Sequence, residues 1–214
     1  MLKEWRRKLP FYWRFKNASF NKRQQRKLAE WEAAGHPVPP PHIVKQNTLK
    51  AYATEFGLKV LVETGTYHGD MVEAMKPHFE RIYSIELSHE FFEGAKERFK
   101  SDKHVELLCG DSGRELANLV KRLNGPALFW LDGHYSAGHT ALGENVTPIF
   151  LELQHILETK KPHVVVIDDA RLFGTHSGYP AFDEVKQFVL SLDPAREITV
   201  ADDSIRITPR RQQL

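Results

Sequence analysis

The chain has 214 residues, a length that suits one domain better than two. Its 41% hydrophobic and 27% charged residues are ordinary for a globular protein with a sizeable core. The single cysteine, Cys109, excludes an internal disulfide and is expected as a small, buried apolar side chain. No apolar run approaches the roughly 20 residues that span a bilayer, and the charged N-terminus is not followed by the apolar stretch of a secretory signal. A cytoplasmic protein is expected.

The net charge of +2 hides an asymmetry. Residues 1–30 carry ten Lys/Arg against Glu4 and Glu30, a net +8, which leaves −6 on the remainder. Trp5, Phe11, Tyr12, Trp13, Phe15 and Phe20 lie among those cations. Such a mixture suits an anionic surface: a membrane periphery, a nucleic acid or an anionic substrate. The alternative is a helical extension that packs its rings on the body or on a second subunit of a homo-oligomer. Pro37, Pro39, Pro40 and Pro41 then make a stiff, extended linker. The expected organisation is a basic aromatic arm over 1–35, a Pro-rich linker over 36–45 and one domain over 46–214.

Along the body, residues 46–56 read as a lead-in helix, and Lys59–Glu63 as a buried strand ending in an acid. Gly69–Phe79 reads as helix and Arg81–Leu87 as a second strand. Ser88 is a good N-cap for a helix through about Phe99, with Phe91, Phe92, Ala95 and Phe99 on one face. Val105–Leu108 is a third strand, Ser112–Leu123 a helix, Ala127–Leu131 a fourth strand and 144–158 a helix. His163–Ile167 is a fifth, almost wholly apolar strand, and Pro180–Leu192 a helix. Apolar strands alternating with helices predict a parallel sheet covered on both faces. The last two strands, Glu197–Ala201 and Ser204–Thr208, are joined only by Asp202-Asp203. That is too short for a crossover helix, so they form a hairpin and the last strand runs antiparallel. The fold expected is α/β: a seven-stranded Rossmann-like sheet with its last strand antiparallel and helices on both faces.

The chemistry collects at the carboxyl ends of the strands, where such sheets bind ligands. After the first strand comes Glu63-Thr64-Gly65-Thr66-Tyr67-His68-Gly69. Gly65 permits a tight turn and close backbone approach to a ligand, and Gly69 opens the next helix. Glu86, about twenty residues on, is placed to accept from both ribose hydroxyls. Asp111 in Gly110-Asp111-Ser112 either accepts from an adenine amino group or caps its helix. A dinucleotide site has three glycines in the first turn; here Thr66 and Tyr67 fill the middle, which suits an adenosine cofactor without phosphate. Glu63 suits the positively charged end of a methionine.

Glu63-x-Gly65-x-x-x-Gly69, Ile85-Glu86, Gly110-Asp111-Ser112 and Leu131-Asp132-Gly133 resemble the successive motifs of class I S-adenosylmethionine (SAM)-dependent methyltransferases. The stretches VETGTYHGD, YSIELS, LFWLDGHYS and VVVIDDARLF resemble a group of mostly uncharacterised bacterial members. The LDG and IDD elements are similar to the macrocin O-methyltransferase family, which methylates sugar hydroxyls with the help of a divalent metal. The resemblance covers roughly residues 46–208. It implies SAM as cofactor, with Glu63, Gly65 and Gly69 on the methionine part, Thr66 also in the cofactor site, Glu86 on the ribose, Asp111 and Ser112 on the adenine, and Asp132 beside the transferred methyl. Asp132 or His134 would act as the base that helps an acceptor hydroxyl lose its proton.

Strands four and five are expected as neighbours, so Asp132 would meet Asp168 and Asp169. Three carboxylates that close call for a cation, and oxygen-only ligands suit Mg²⁺, Ca²⁺ or Mn²⁺. The loop Gly133–Gly143, with His134, Tyr135 and His139, is expected to cover the substrate or merely to connect two elements. The loop Arg171–Tyr179, with His176, forms another wall, with Arg171 pairing either an acidic substrate or a neighbouring carboxylate. The leading expectation is O-methylation of a small molecule or a glycan. The rivals are a nucleic-acid methyltransferase gripping with the arm and a non-catalytic SAM-binding scaffold. Against the base-amino subclass of the first, though not against ribose methylation, Asp132-Gly133-His134-Tyr135 replaces the Asn/Asp-Pro-Pro-aromatic motif of base-amino methyltransferases. Against the second, clustered carboxylates without a task are costly.

Overall fold

The computed structural model describes residues 10–132 and 148–210, with backbone alone for 10–21. Two helices lead in: α1 (Pro10–Ala33) and α2 (His42–Glu55). Then follow β1 (Val60–Thr64), α3 (Asp70–Met75), β2 (Arg81–Glu86), α4 (His89–Phe99), β3 (Val105–Cys109), α5 (Ser112–Arg122) and β4 (Leu128–Leu131). After residue 148 come α6 (Ile149–Glu158), β5 (Val164–Ile167), α7 (Phe182–Leu192), β6 (Arg196–Ala201) and β7 (Ser204–Pro209). The expected α3 is shorter than Gly69–Phe79 because Pro77 stands in its path, and Lys76–His78 finishes as a 3₁₀ turn.

The strands form one seven-stranded sheet in the order β3-β2-β1-β4-β5-β7-β6. β1 to β5 pair parallel, while β7 is antiparallel to both β5 and β6. The reversal is made at Asp202 and Asp203, with φ of 47° and 60°, the left-handed pair that a two-residue hairpin requires. Asp tolerates that region better than most residues.

Alternate residues of each strand feed opposite layers. Leu61, Ile82, Leu128, Trp130, Val164 and Val166 pack against Leu49 of α2, Met71 and Met75 of α3, and Ala95 and Phe99 of α4. Val62, Ile85, Phe129, Leu131, Val165 and Ile207 pack against Leu116 and Leu119 of α5, Leu153 and Ile156 of α6, and Val185 and Val189 of α7. Of the apolar face read on α4, Ala95 and Phe99 are buried, whereas Phe91 and Phe92 are half-buried. Cys109 departs from expectation and is exposed. It ends β3, an edge strand that is only half-buried along its length.

Helix α2 begins at His42, four residues before the expected lead-in helix. Pro41 fixes the entry dihedral (φ −65°), and Ile43 and Val44 are buried with Trp31 of α1, so residues 42–45 gain contacts as a helix that an extended linker lacks. The Trp31 indole N–H donates to the Pro37 carbonyl (2.8 Å), and its ring stacks on His36 at 4.1 Å between centroids. The C-terminal end of α1 is thereby fastened to α2. No helix among the described residues is long and apolar enough to cross a membrane.

Gly69 shows how tightly the first turn is held. Its φ is +77°, and a Cβ there would lie 2.5 Å from the buried Phe99 ring. Gly69→Ala is expected to lower stability by about 1–3 kcal/mol through backbone strain and overpacking. Gly94→Ala, in the interior of α4 with nothing within 4 Å, is expected to gain about 0.5–1 kcal/mol. Urea unfolding of the two variants against the wild type checks the contrast.

Candidate active site

The strand order reverses between β1 and β4, which opens a crevice at their carboxyl ends. The ladder continues past the strands by single amide-to-carbonyl bonds: Gly65 to Ile85 (2.9 Å), Gly110 to Glu86 (2.9 Å), Asp132 to Thr64 (3.1 Å) and Asp168 to Leu131 (3.0 Å). These bonds hold the side chains named by the sequence along one edge of the sheet.

Glu63 is 2% exposed, inside the sheet edge. It accepts from the Ser84 hydroxyl at 2.5 Å, and Ser84 also bonds Thr66 at 2.6 Å. Burial pushes the Glu63 carboxyl up to about 8; the Ser84 bond opposes this and the Glu86 charge adds to it. Glu86 accepts from the Tyr67 amide (2.7 Å) with one oxygen and from the Ser88 amide (2.8 Å) with the other. The first of those bonds holds Tyr67 at φ 48°, an uncommon conformation for a non-glycine residue. Tyr67 is 58% exposed, and its ring lies against His68 (3.9 Å) and Phe91 (4.7 Å).

Asp111 caps α5 by accepting from the Arg114 amide (3.2 Å), one of its two anticipated roles. Ser112 is buried beside Glu152 of α6, a residue that sequence reasoning missed. Burial pushes Glu152 up to about 7, and the Ser112 and Thr64 hydroxyls pull it back. The signal was present as a lone acid in the apolar run Ile149-Phe150-Leu151-Glu152-Leu153.

Asp132, Asp168 and Asp169 come together as the neighbouring strands require, each with a carboxylate oxygen within 4.8 Å of the others'. Asp168 is buried, Asp169 half-buried and Asp132 exposed. What joins Asp168 and Asp169 was not foreseen. The Lys45 ammonium, from α2, bonds the Asp168 Oδ2 and lies 3.8 Å from Asp169 Oδ1. It also stands 5.9 Å from the Trp130 ring centre. Lys45 fell in the stretch read as linker, so nothing marked it as inward-facing.

Arg171 bonds Asp169 Oδ1 (2.9 Å) and the buried Asp203 carboxylate, which settles its pairing in favour of neighbouring acids. Surrounding protein and the Asp168 charge hold Asp132 above the ordinary carboxylate range, with Lys45 opposing. Because Asp132 opens to solvent, repulsion from Asp168 is the cause with more weight there. Burial raises Asp168 too, against the pull of Lys45. For Lys45, burial works against the charge, but Asp168, Asp132 and Asp169 outweigh it and raise its pKa. His176 is exposed, 6.1 Å from Tyr179 between ring centres. His134, Tyr135, His139 and the rest of the 133–147 segment lie outside the described residues.

No sequence-family model matches the chain, and no curated protein sequence matches it. Its structure is similar to that of an O-methyltransferase from Bacillus cereus in complex with SAH, with a TM-score of 0.59 and 16% identity over 87% of this chain and 90% of that one. The O-methyltransferase TomG from Streptomyces achromogenes, in complex with SAM, matches with a TM-score of 0.54 and 18% identity over 88% and 87%. The N-methyltransferase NodS from Bradyrhizobium japonicum matches at 0.53 and 15% over 78% and 93%.

The chain has the class I methyltransferase fold.

In this class I fold the buried Glu63 gives a measurable signature. Its folded pKa, about 8, exceeds the ordinary 4.5, so the native state holds an extra proton between those values. Stability therefore falls as pH rises through that window, and the loss is complete above about 8. Glu63→Gln is expected to reduce the slope of stability against pH between about 4.5 and 8, leaving the shares of the other raised acids, Glu152, Asp132 and Asp168. Urea midpoints across that range check it, and an unchanged slope would mean that Glu63 is charged in the native protein.

Proposed function

We propose that the protein is a SAM-dependent methyltransferase that methylates a hydroxyl of a small molecule or glycan. The observation that carries the reading is the row of acids at the ends of four adjacent parallel strands: Glu63, Glu86, Asp111 and Asp132. Across the sheet the row runs Asp111, Glu86, Glu63, Asp132, and the adenine, ribose and methionine parts of SAM follow one another in the order of the first three. Glu63, Gly65, Thr66 and Gly69 would receive the methionine part. Glu86 would receive the ribose, because each of its oxygens keeps a lone pair beyond the amide already bound. Asp111 and Ser112 would face the adenine. The similar B. cereus and S. achromogenes O-methyltransferases share the class I fold and were crystallised with SAH and SAM.

Methyl transfer is an in-line displacement, so positioning supplies much of the rate. The acceptor hydroxyl would lie beside Asp132. Asp132 would take the acceptor's proton in its ionised form, which a cation at the cluster would favour, and His134 is the second candidate for that task. A divalent ion such as Mg²⁺ would be held by Asp132, Asp168 and Asp169. The oxygen-only donor set fits it, and so does the buried Asp168 Oδ1, which has no hydrogen-bond partner among the described residues. Such an ion would lower the pKa of a bound hydroxyl.

Calorimetry with SAM tests the cofactor assignment. Glu86→Ala is expected to weaken binding by about 1–3 kcal/mol, the scale of hydrogen bonds to a charged group; unchanged affinity would remove Glu86 from the site. Methyl transfer to a panel of hydroxyl acceptors is expected to fall in EDTA and return with Mg²⁺. Full activity after chelation would remove the metal, and transfer to RNA alone would reassign the acceptor class.

A further inference from the structure

We infer that Lys45 is a tethered cation standing where a divalent ion would bind, and that the two exclude each other at Asp168. The inference rests on the proposed cation site and goes beyond it by naming the residue that controls occupancy. Three observations lead to it. The Lys45 ammonium bonds one oxygen of Asp168 and lies 3.8 Å from Asp169, so it touches two of the three carboxylates. The pair is largely withdrawn from water, the Lys45 side chain being 17% exposed and that of Asp168 2%. The other Asp168 oxygen is buried and has no hydrogen-bond partner among the described residues, so the lysine leaves one acceptor of the cluster unfilled.

The geometry makes joint occupancy unfavourable. A divalent ion held by these oxygens sits about 2.0–2.6 Å from each. An ammonium bonded to the same carboxylate would then lie a few ångströms from a double charge, in a site where water screens little. One cation must leave. Arg171 is fixed by the Asp203 carboxylate and by its own amide, which donates to Asp203 Oδ1 at 2.9 Å. Lys45 has a single short attachment and a flexible four-carbon stem, so it is the one that swings away.

The test uses the full chain and Mn²⁺ alone, with free Mn²⁺ counted by its electron paramagnetic resonance signal. Lys45→Met keeps the apolar stem and removes the charge. It is expected to tighten Mn²⁺ binding by about 5- to 150-fold, the usual range of coupling between two sites. Asp168→Asn in the Lys45→Met background is expected to abolish that gain. Equal or weaker Mn²⁺ binding by Lys45→Met, or a gain that survives Asp168→Asn, overturns the inference.

A measurement on the unaltered protein covers the case in which the variants fail to fold. Acetylation of Lys45 by acetic anhydride, read by mass spectrometry, is expected to accelerate when Mn²⁺ is saturating, because the ammonium is released. An unchanged rate overturns the inference as well. SAH calorimetry on the same samples separates the two readings: lost SAH binding in the wild type counts against the cofactor site, and unchanged Mn²⁺ behaviour counts against Lys45.

Discussion

Four amide-to-carbonyl bonds run one residue past the strand ends, from Gly65, Gly110, Asp132 and Asp168 to the neighbouring strands. Because a parallel ladder spaces its bonds evenly, this small extension fixes the depth at which each strand hands over to its loop. Side chains at that level cannot spread apart without breaking the ladder. Glu63, Glu86, Asp132 and Asp168 are acids placed at or beside it. The sheet therefore imposes a concentration of negative charge on one edge, and much of the remaining structure deals with that charge.

It does so differently at each position. Glu63 and Glu152 are buried with no cation paired to them among the described residues; hydroxyl groups attend them, and burial favours their protonated forms. Glu86 stays at the edge and receives two backbone amides. Asp203 is neutralised by Arg171, which also reaches Asp169. Asp168, the most buried of the triad, receives Lys45. Removing one partner from a buried pair is costly because the other charge is left behind. The Lys45 pair is thus both a stabilising contact and a restraint on what else can enter.

The fold was legible because it is encoded locally. Runs such as His163-Val164-Val165-Val166-Ile167 can only be strands covered on both faces, and Asp202-Asp203 leaves no room for anything but a tight reversal. The meeting of Asp132 with Asp168 and Asp169 followed from strand neighbourhood alone, and the structure brings them together. What stayed hidden is long-range. Lys45 and Asp168 are 123 residues apart, and Arg171 and Asp203 32 apart. No periodicity links such positions, and a lysine beside a proline run reads as solvated until its helix is docked. Cys109 failed for a related reason: its burial depended on which strand lies at the sheet edge, which strand order decides and composition does not.

Helix α2 connects these themes. Ile43 and Val44 pack on Trp31 at the end of α1, while the next residue, Lys45, reaches the acids at the ends of β4 and β5. Along the same helix, Gln46 is buried against His42, and Leu49 and Ala53 enter the core under the sheet. A helix rotates as a unit at 100° per residue, so the apolar contact with Trp31 and the polar contact with Asp168 cannot be adjusted separately. The arm's anchorage sets the register of α2, and that register sets the reach of Lys45. The C-terminal end of α1 is for this reason part of the structural surroundings of the acid cluster.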